Sequence, residues 1–505
     1  MKPFELSSIA LQALVILSAL ATALAKEAKV KKISFSALLI ACSALVCLVF
    51  GNTLLIGKRE EKATAEMDLG QVEMQMRLYS AMKPYESSVS NAKDMLDKAL
   101  EESRRSLNQA VRKDGQSLAT RFKEGIFVGE EGGKLAPVLD ALGKLPDKKA
   151  AEAVKTIEGL YIHKHLAPAD LPARIKFIEE TLPRGWFREV SEIEAYKVSH
   201  EEKKFQSALQ AYENNAQQYG IKFVALICYV FVSVIIGLFV LLVQLFLLQR
   251  ALSKDKGSEE ILAPQDWGWA KVYGVFVGWL ALECISAPLV MQLATMLKGT
   301  LGKDPAVIAL LAMAIYLLNN VPALLIAWFC VIRPSGNKFW ESVKLRFQTP
   351  RRGPFGLVMA GVLTWYGCLP LVIAGSLVAK VYLSSEGSSN PILPVVQNAV
   401  RSGDIWASVL FIFALGVLPG ICEETLFRGF LYTFLRRKMG AFLSIVLSAA
   451  FFAGVHLDKG AFLPLFILGF GFAYTFERTR SLVPCMVAHC MWNSGTFLVM
   501  MILYG

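Results

Sequence analysis

Three groups of polar side chains interrupt the apolar C-terminal 85 residues of this chain: Glu423, Glu424 and Arg428; His456; and His489 with Asn493. An ionisable group costs several kcal/mol in hydrocarbon, so one that stands there marks a functional site by default. On a helix, Glu424 and Arg428 are four apart in the acid-before-base order and can pair on one face, while Glu423 is turned about 100° away. Arg428 then neutralises Glu424 and leaves Glu423 unpaired. An unpaired carboxylate in apolar surroundings suits a general base working near neutral pH. The chain has five histidines, and three of them (His163, His165, His200) fall in a polar insert. His456 and His489 are left as the two imidazoles of the apolar portion.

His489 and Asn493 are also four apart and project together, as do Phe452 and His456. Depth agrees with convergence. At 1.5 Å rise per residue, Glu423 lies about 20 Å from Arg436, His456 about 22 Å from Ala441 and His489 about 12 Å from Ser481, so all three can meet inside a membrane. Two non-catalytic readings compete: a polar clamp that ties helices together, and a proton or ion relay in a transporter. A carboxylate, two imidazoles and an amide exceed what packing needs. Glu283, in an earlier apolar stretch, keeps the relay open.

The elements that must position these groups are membrane spans. A chain of 505 residues, 54% hydrophobic and with mean hydropathy +0.45, carries apolar runs longer than the ~20 residues that cross a bilayer. The fold class is all-α, a polytopic transmembrane helical bundle with a helical extracytoplasmic insert. Ten spans are predicted, roughly at 6 to 25, 33 to 56, 221 to 248, 272 to 297, 305 to 332, 355 to 379, 405 to 434, 441 to 456, 461 to 476 and 481 to 504. The short eighth and ninth suit helices sheltered by protein. Between the second and third spans, residues 58 to 220 hold 26 Lys and Arg against 27 Asp and Glu, so the net charge of +11 belongs to the membrane loops and does not imply nucleic acid. All nine cysteines fall in apolar spans, which excludes a disulfide-stapled ectodomain.

Loop charge gives the orientation. Residues 1 to 25 resemble a signal peptide ending at Ala23-Leu24-Ala25, but Lys26, Lys29, Lys31 and Lys32 follow and basic loops stay cytoplasmic, so retention is expected. With that loop inside, the later cytoplasmic loops carry Arg250, Lys254 and Lys256, then a run from Arg333 to Arg352, then Arg436, Arg437 and Lys438, then Arg478 and Arg480. The opposite short loops are poorer, with Lys298 and Lys303, Lys380 and Arg401, and Lys459. The insert and both termini are therefore expected outside the cytoplasm. Helical composition in the insert is clearest at 60 to 114 and 188 to 217, around a middle punctuated by Gly and Pro. This reads as a helical bundle or stalk, with His163-Lys164-His165 in a solvated loop.

The polar groups of the C-terminal region resemble a known family. Glu423-Glu424-Thr-Leu-Phe-Arg428, Phe452-Ala-Gly-Val-His456 and His489-Cys-Met-Trp-Asn493 are similar, in order and separation, to the three signatures of the CPBP intramembrane proteases, which include the type II CAAX prenyl endopeptidase and Abi-like proteins. The resemblance covers roughly 360 to 505. It implies peptide-bond hydrolysis in a membrane cavity, with Glu423 and His456 activating water and His489 and Asn493 stabilising the oxyanion. It also implies membrane lipid and a membrane-associated peptide or protein substrate as partners. The family is commonly called a metalloprotease; Glu423, His456 and His489 would satisfy a catalytic zinc, and the same atoms also serve a metal-free water activation. His-Glu-x-x-His is absent, and Ser494-Gly495 lacks the glycine of a rhomboid-type serine site.

The sequence thus divides into an N-terminal transmembrane hairpin (1–57), a helical extracytoplasmic domain (58–220), transmembrane helices with cytoplasmic loops (221–354) and a protease-like core (355–505). The expected address is a bacterial plasma membrane, with eukaryotic endoplasmic reticulum as the alternative. Alternative functions are a scaffold or bacteriocin-immunity-type protein that keeps the motifs for packing, and a proton-coupled transporter.

Overall fold

A computed structural model describes residues 3–25, 27–56, 61–88, 91–252, 266–301, 304–382 and 392–504. The expected loop cations Lys26, Lys254, Lys256 and Lys303 lie outside the described residues. No strand occurs among them, only an isolated bridge between Thr349 and Arg352. The helices are α1 (Pro3–Leu24), α2 (Ala28–Ile56), α3 (Glu61–Met82), α4 (Ala92–Asp114), α5 (Leu118–Glu130), α6 (Ala136–Gly143), α7 (Ala150–Ile157), α8 (Leu171–Thr181), α9 (Trp186–Val198) and α10 (Glu202–Leu252). The chain continues as α11 (Trp269–Leu301), α12 (Pro305–Ala327), α13 (Phe339–Ser342), α14 (Pro354–Tyr382) and α15 (Ile392–Ser402). Then come α16 (Ile405–Phe411), α17 (Leu418–Glu424), α18 (Thr433–Lys438), α19 (Ala441–Val455), α20 (Phe462–Thr479) and α21 (Val483–Tyr504). Two compact units result: residues 1–58, 231–388 and 406–497 in the first, and residues 59–230, 389–405 and 498–505 in the second.

The first unit is the membrane bundle. Among the described residues eight helices are long and apolar enough to cross a bilayer. The protein is an integral membrane protein. The two remaining apolar helices, α19 with 15 residues and α20 with 18, are about 23 and 27 Å long, short of the ~30 Å hydrocarbon core. One face of each is covered by protein. Ser444, Ser448, Ala449 and Phe452 of α19 are buried, as are Gly469, Phe472, Ala473 and Phe476 of α20. A Cβ on Gly469 would lie 3.1 Å from the Ala449 Cα, so the missing side chain is what lets these two helices close. Their partners are aromatic: Phe276, Trp279, Phe427, Phe430 and Phe434 fill the same core.

In the second unit the insert folds as a packed helical bundle around Phe122, Phe127, Ile157, Trp186 and Phe187. The helical stretch at 60 to 114 is interrupted at Pro84, which restricts the residue before it and donates no N–H, so a short 3₁₀ turn separates α3 from α4. The stretch at 188 to 217 is interrupted too, where His200 adopts a left-handed φ of 58° between α9 and α10. The Gly- and Pro-punctuated middle folds into α5 to α8, each proline at a helix start or in a connection. α10 then runs 51 residues from insert sequence into the third apolar span without a break at 221. His163 and His165 are exposed, as expected of a solvated loop. α15, not anticipated from the sequence, packs along α3, and its Arg401 forms an ion pair of 2.8 Å with the buried Glu73.

Candidate active site

Glu423 and Glu424 end α17, which is flanked by two wide π-helical turns at Ile412–Val417 and Thr425–Tyr432. π turns inside α-helices concentrate at functional sites. One cause is local: Pro419 has no N–H to offer the Leu415 carbonyl four residues before it. Asn493 supplies the donor instead, its Nδ2 reaching that carbonyl at 3.0 Å. A second local cause brings α17 against α21. At Gly420 a Cβ would sit 3.1 Å from the Met486 carbonyl, so glycine allows the approach that sets the two glutamates beside His489.

The pair expected from spacing is present. Arg428 Nη1 donates to Glu424 Oε1 at 2.9 Å, and both side chains are fully buried. Arg428 also donates from Nη2 to the Gly469 carbonyl at 3.1 Å, and its guanidinium faces the rings of Phe452 and Phe472 at 4.5 and 5.3 Å. Two further contacts differ from expectation. Glu424 is not consumed by Arg428 alone, because His489 Nδ1 lies 2.7 Å from the same Oε1. A carboxylate only accepts, so Nδ1 carries the proton. Nor is Glu423 unpaired: the Tyr316 hydroxyl of α12 donates to its Oε1 at 3.1 Å. Its other oxygen, Oε2, faces His489 Nε2 at 3.9 Å. Glu283 of α11 lies within electrostatic range of Glu423.

His456 caps the end of α19, and its Nδ1 points back to the Phe452 carbonyl at 2.8 Å. The carbonyl accepts, so the Nε2 lone pair is left free for another partner. Among the described residues His456 makes no hydrogen bond to Glu423. The Phe452 ring joins the two imidazoles, with its centroid 5.0 Å from His456 and 6.0 Å from His489. Phe472 stacks on His489 at 5.3 Å and 25°. The zinc trio of Glu423, His456 and His489 does not assemble: no group of three or more His, Cys, Asp or Glu among the described residues could hold a metal ion. Both imidazoles give Nδ1 to protein oxygens and keep Nε2 open, so what the trio lacks is convergence on one point. These residues do not fit a catalytic zinc as they stand.

Sequence reasoning missed Tyr316. The signal available was its neighbourhood, Tyr316-Leu-Leu-Asn319-Asn320, a polar break in a span that is otherwise apolar. Asn320 is tied locally, its Nδ2 donating to the Tyr316 carbonyl at 3.0 Å, while the Asn319 backbone carbonyl accepts from Trp279 Nε1 of α11 at 2.7 Å.

Residues 405–495 match the protein family described as "Type II CAAX prenyl endopeptidase Rce1-like". All three motifs fall inside that stretch, and the family resemblance read from them holds there. The chain is 32% identical over 131 residues to a Bacillus subtilis (strain 168) protein named "Putative membrane peptidase YdiL", an alignment covering 26% of this chain and 49% of that one. The chain therefore spans about half the length of this curated relative. No solved structure matches.

Proposed function

We propose that this protein is an intramembrane endopeptidase that hydrolyses a peptide bond of a membrane-associated or lipidated substrate, and that it works in a bacterial plasma membrane. The observation that carries the reading is the arrangement around Glu424. Its Oε1 holds Arg428 on one side and His489 Nδ1 on the other, which aims His489 Nε2 at Glu423 Oε2 across 3.9 Å. One water can bridge a gap of that size with two hydrogen bonds. Glu423 is the base: it takes a proton from that water as the oxygen attacks the scissile carbonyl carbon. The proton then passes to the amine nitrogen as the C–N bond breaks. Tyr316 holds the base in place through Oε1, and His456 offers its free Nε2 lone pair as the second water-activating group. Asn493 keeps one amide N–H beyond the one given to Leu415, and in this reading that N–H faces the developing oxyanion, while His489 positions the water through Nε2. The assigned site is therefore Glu423, Glu424, Arg428, His456, His489 and Asn493, with Tyr316 added, and no step passes through a metal.

The Rce1-like match and the peptidase relative support proteolysis in general, while residue roles rest on the geometry. The test is Glu423→Gln, which keeps the side-chain shape and the Tyr316 hydrogen bond but removes the base. Purified protein should lose turnover on membrane peptides by about 10²-fold or more with unchanged thermal stability. Equal cleavage by the variant would remove Glu423 from the mechanism. The proximity of Glu283 to Glu423 favours a second reading, a proton relay; proton flux in sealed vesicles that Glu283→Gln abolishes, without any peptide cleavage by the wild type, would establish it.

A further inference from the structure

The insert contains a cavity of about 150 Å³ that belongs to none of the chemistry above. Three helices line it: Arg77 and Ser80 from α3, Glu189 from α9, and Asn215, Tyr219 and Lys222 from α10. Tyr219 is 6% exposed, and its buried hydroxyl has no hydrogen-bond partner among the described residues. A buried hydroxyl left without a partner costs roughly 10-fold or more in folding equilibrium, so its persistence at a cavity wall points to a ligand. Arg77 is also incompletely used. Its nearest carboxylate, Glu73, is 3.7 Å away and is already taken by Arg401 at 2.8 Å and the Trp186 amide at 3.1 Å. The Arg77 guanidinium lies 5.9 Å from the Tyr219 ring centroid, on the cavity side.

We propose that this cavity binds a phosphate group, with Arg77, Lys222 and the Tyr219 hydroxyl as donors. Position along α10 supports the assignment. Lys222 is the last charged residue before an apolar run that extends from Phe223 to Val243, so the cavity lies at the end of a membrane span, where tyrosine and lysine sit at headgroup level. Arginine with lysine and hydroxyl donors matches phosphate oxygens, which an anionic lipid headgroup presents at that depth. Glu189 does not oppose this. Burial pushes its carboxyl up against the pull of Arg77, and an arriving anion pushes the same way, so the acid yields its charge more readily than an exposed glutamate would. A phosphodiester of an anionic lipid and free inorganic phosphate share this chemistry.

The experiment uses the full chain purified in dodecyl maltoside, titrated separately with dioctanoyl phosphatidylglycerol and with inorganic phosphate, and read by thermal shift and native mass spectrometry. The three proteins are the wild type, Tyr219→Phe and Lys222→Gln. The expected result is saturable one-to-one binding of the lipid, weakened about tenfold in each variant. Tyr219→Phe removes a hydroxyl that bonds nothing among the described residues, so without ligand it should melt no lower than wild type. That separates a binding role from a structural one. Saturation by the lipid alone assigns a headgroup site, and saturation by inorganic phosphate as well assigns a general phosphate site. Saturation by neither, or wild-type affinity in both variants, overturns the proposal.

Discussion

Replacing Glu424 with Gln should damage stability and activity together. The wild-type carboxylate is the counter-charge of Arg428, which is fully buried. Removing one member of a buried ion pair costs about 3–5 kcal/mol, because the survivor is left charged without water. Here the survivor retains the Gly469 carbonyl at 3.1 Å and the Phe452 and Phe472 rings, whose faces attract a cation, so the lower end applies and about 3 kcal/mol is expected. The same change replaces the charged acceptor of His489 Nδ1 with a neutral one. The imidazole then loses the contact that aims Nε2, and a misplaced group of this kind costs about 10²-fold in turnover. Thermal unfolding in detergent and hydrolysis of a fluorogenic membrane peptide would be measured on wild type, Glu424→Gln and Glu423→Gln. Glu423→Gln should be inactive yet as stable as wild type, whereas Glu424→Gln should be both slower and less stable. If Glu424→Gln melts with wild type, Glu424 is not the counter-charge that holds Arg428 in place; if it is destabilised but fully active, Glu424 does not position His489.

Tyr316→Phe removes one hydrogen bond to Glu423, so kcat should fall about tenfold with KM unchanged; a rise in KM alone would make Tyr316 a substrate contact. In spheroplasts, an impermeant protease added outside should cut residues 58 to 220 and spare the 333 to 354 loop, and the opposite pattern would invert the topology. Lys123, 7% exposed in the insert, has its ammonium pushed down from 10.5 to about 8 by burial, a shift that the Glu73 charge only partly offsets. Between those two pH values the unfolded chain binds the extra proton, so the insert's stability should rise by about 3 kcal/mol from pH 8 to 10.5. Hydrogen exchange across α5 reads this rise, and Lys123→Met should abolish it; a pH-independent wild type would mean that the buried lysine keeps its proton in the folded state up to the same pH as in the unfolded chain.

Legibility in the sequence followed the distance between partners along the chain. Glu424 and Arg428 are one helical turn apart, and regular helix geometry sufficed to pair them. Hydropathy located the apolar helices, including short α19 and α20, because a bilayer imposes a length on every span. Tyr316 stands 107 residues from Glu423, and no periodicity links two helices that meet only in the folded bundle. The second bond to Glu424 was hidden for the same reason: His489 is 65 residues away and reads in isolation as a free donor. In the insert, α4 shows its buried face through Ala92, Leu96, Ser103, Leu107 and Ala110, yet nothing in that spacing reveals that Arg401 would find Glu73.

The polar core of the membrane bundle is not fully satisfied, and the pattern of what is missing bears on why it exists. Glu424 Oε2 and Arg428 Nε are buried with no hydrogen-bond partner among the described residues, while Glu424 Oε1 takes two. A group of apolar side chains of equal volume would pack these helices at least as stably, since buried ion pairs seldom outperform hydrophobic replacements. Such a core would hold the helices together without fixing their rotation. The Glu424 carboxylate instead ties α21 through His489, and through Arg428 it ties the Gly469 carbonyl of α20. Directional bonds from one buried atom fix the rotation of each helix, and with it the 3.9 Å between Glu423 and His489. Stability is surrendered for geometry, a trade that the site proposed above, acting on one water, would require.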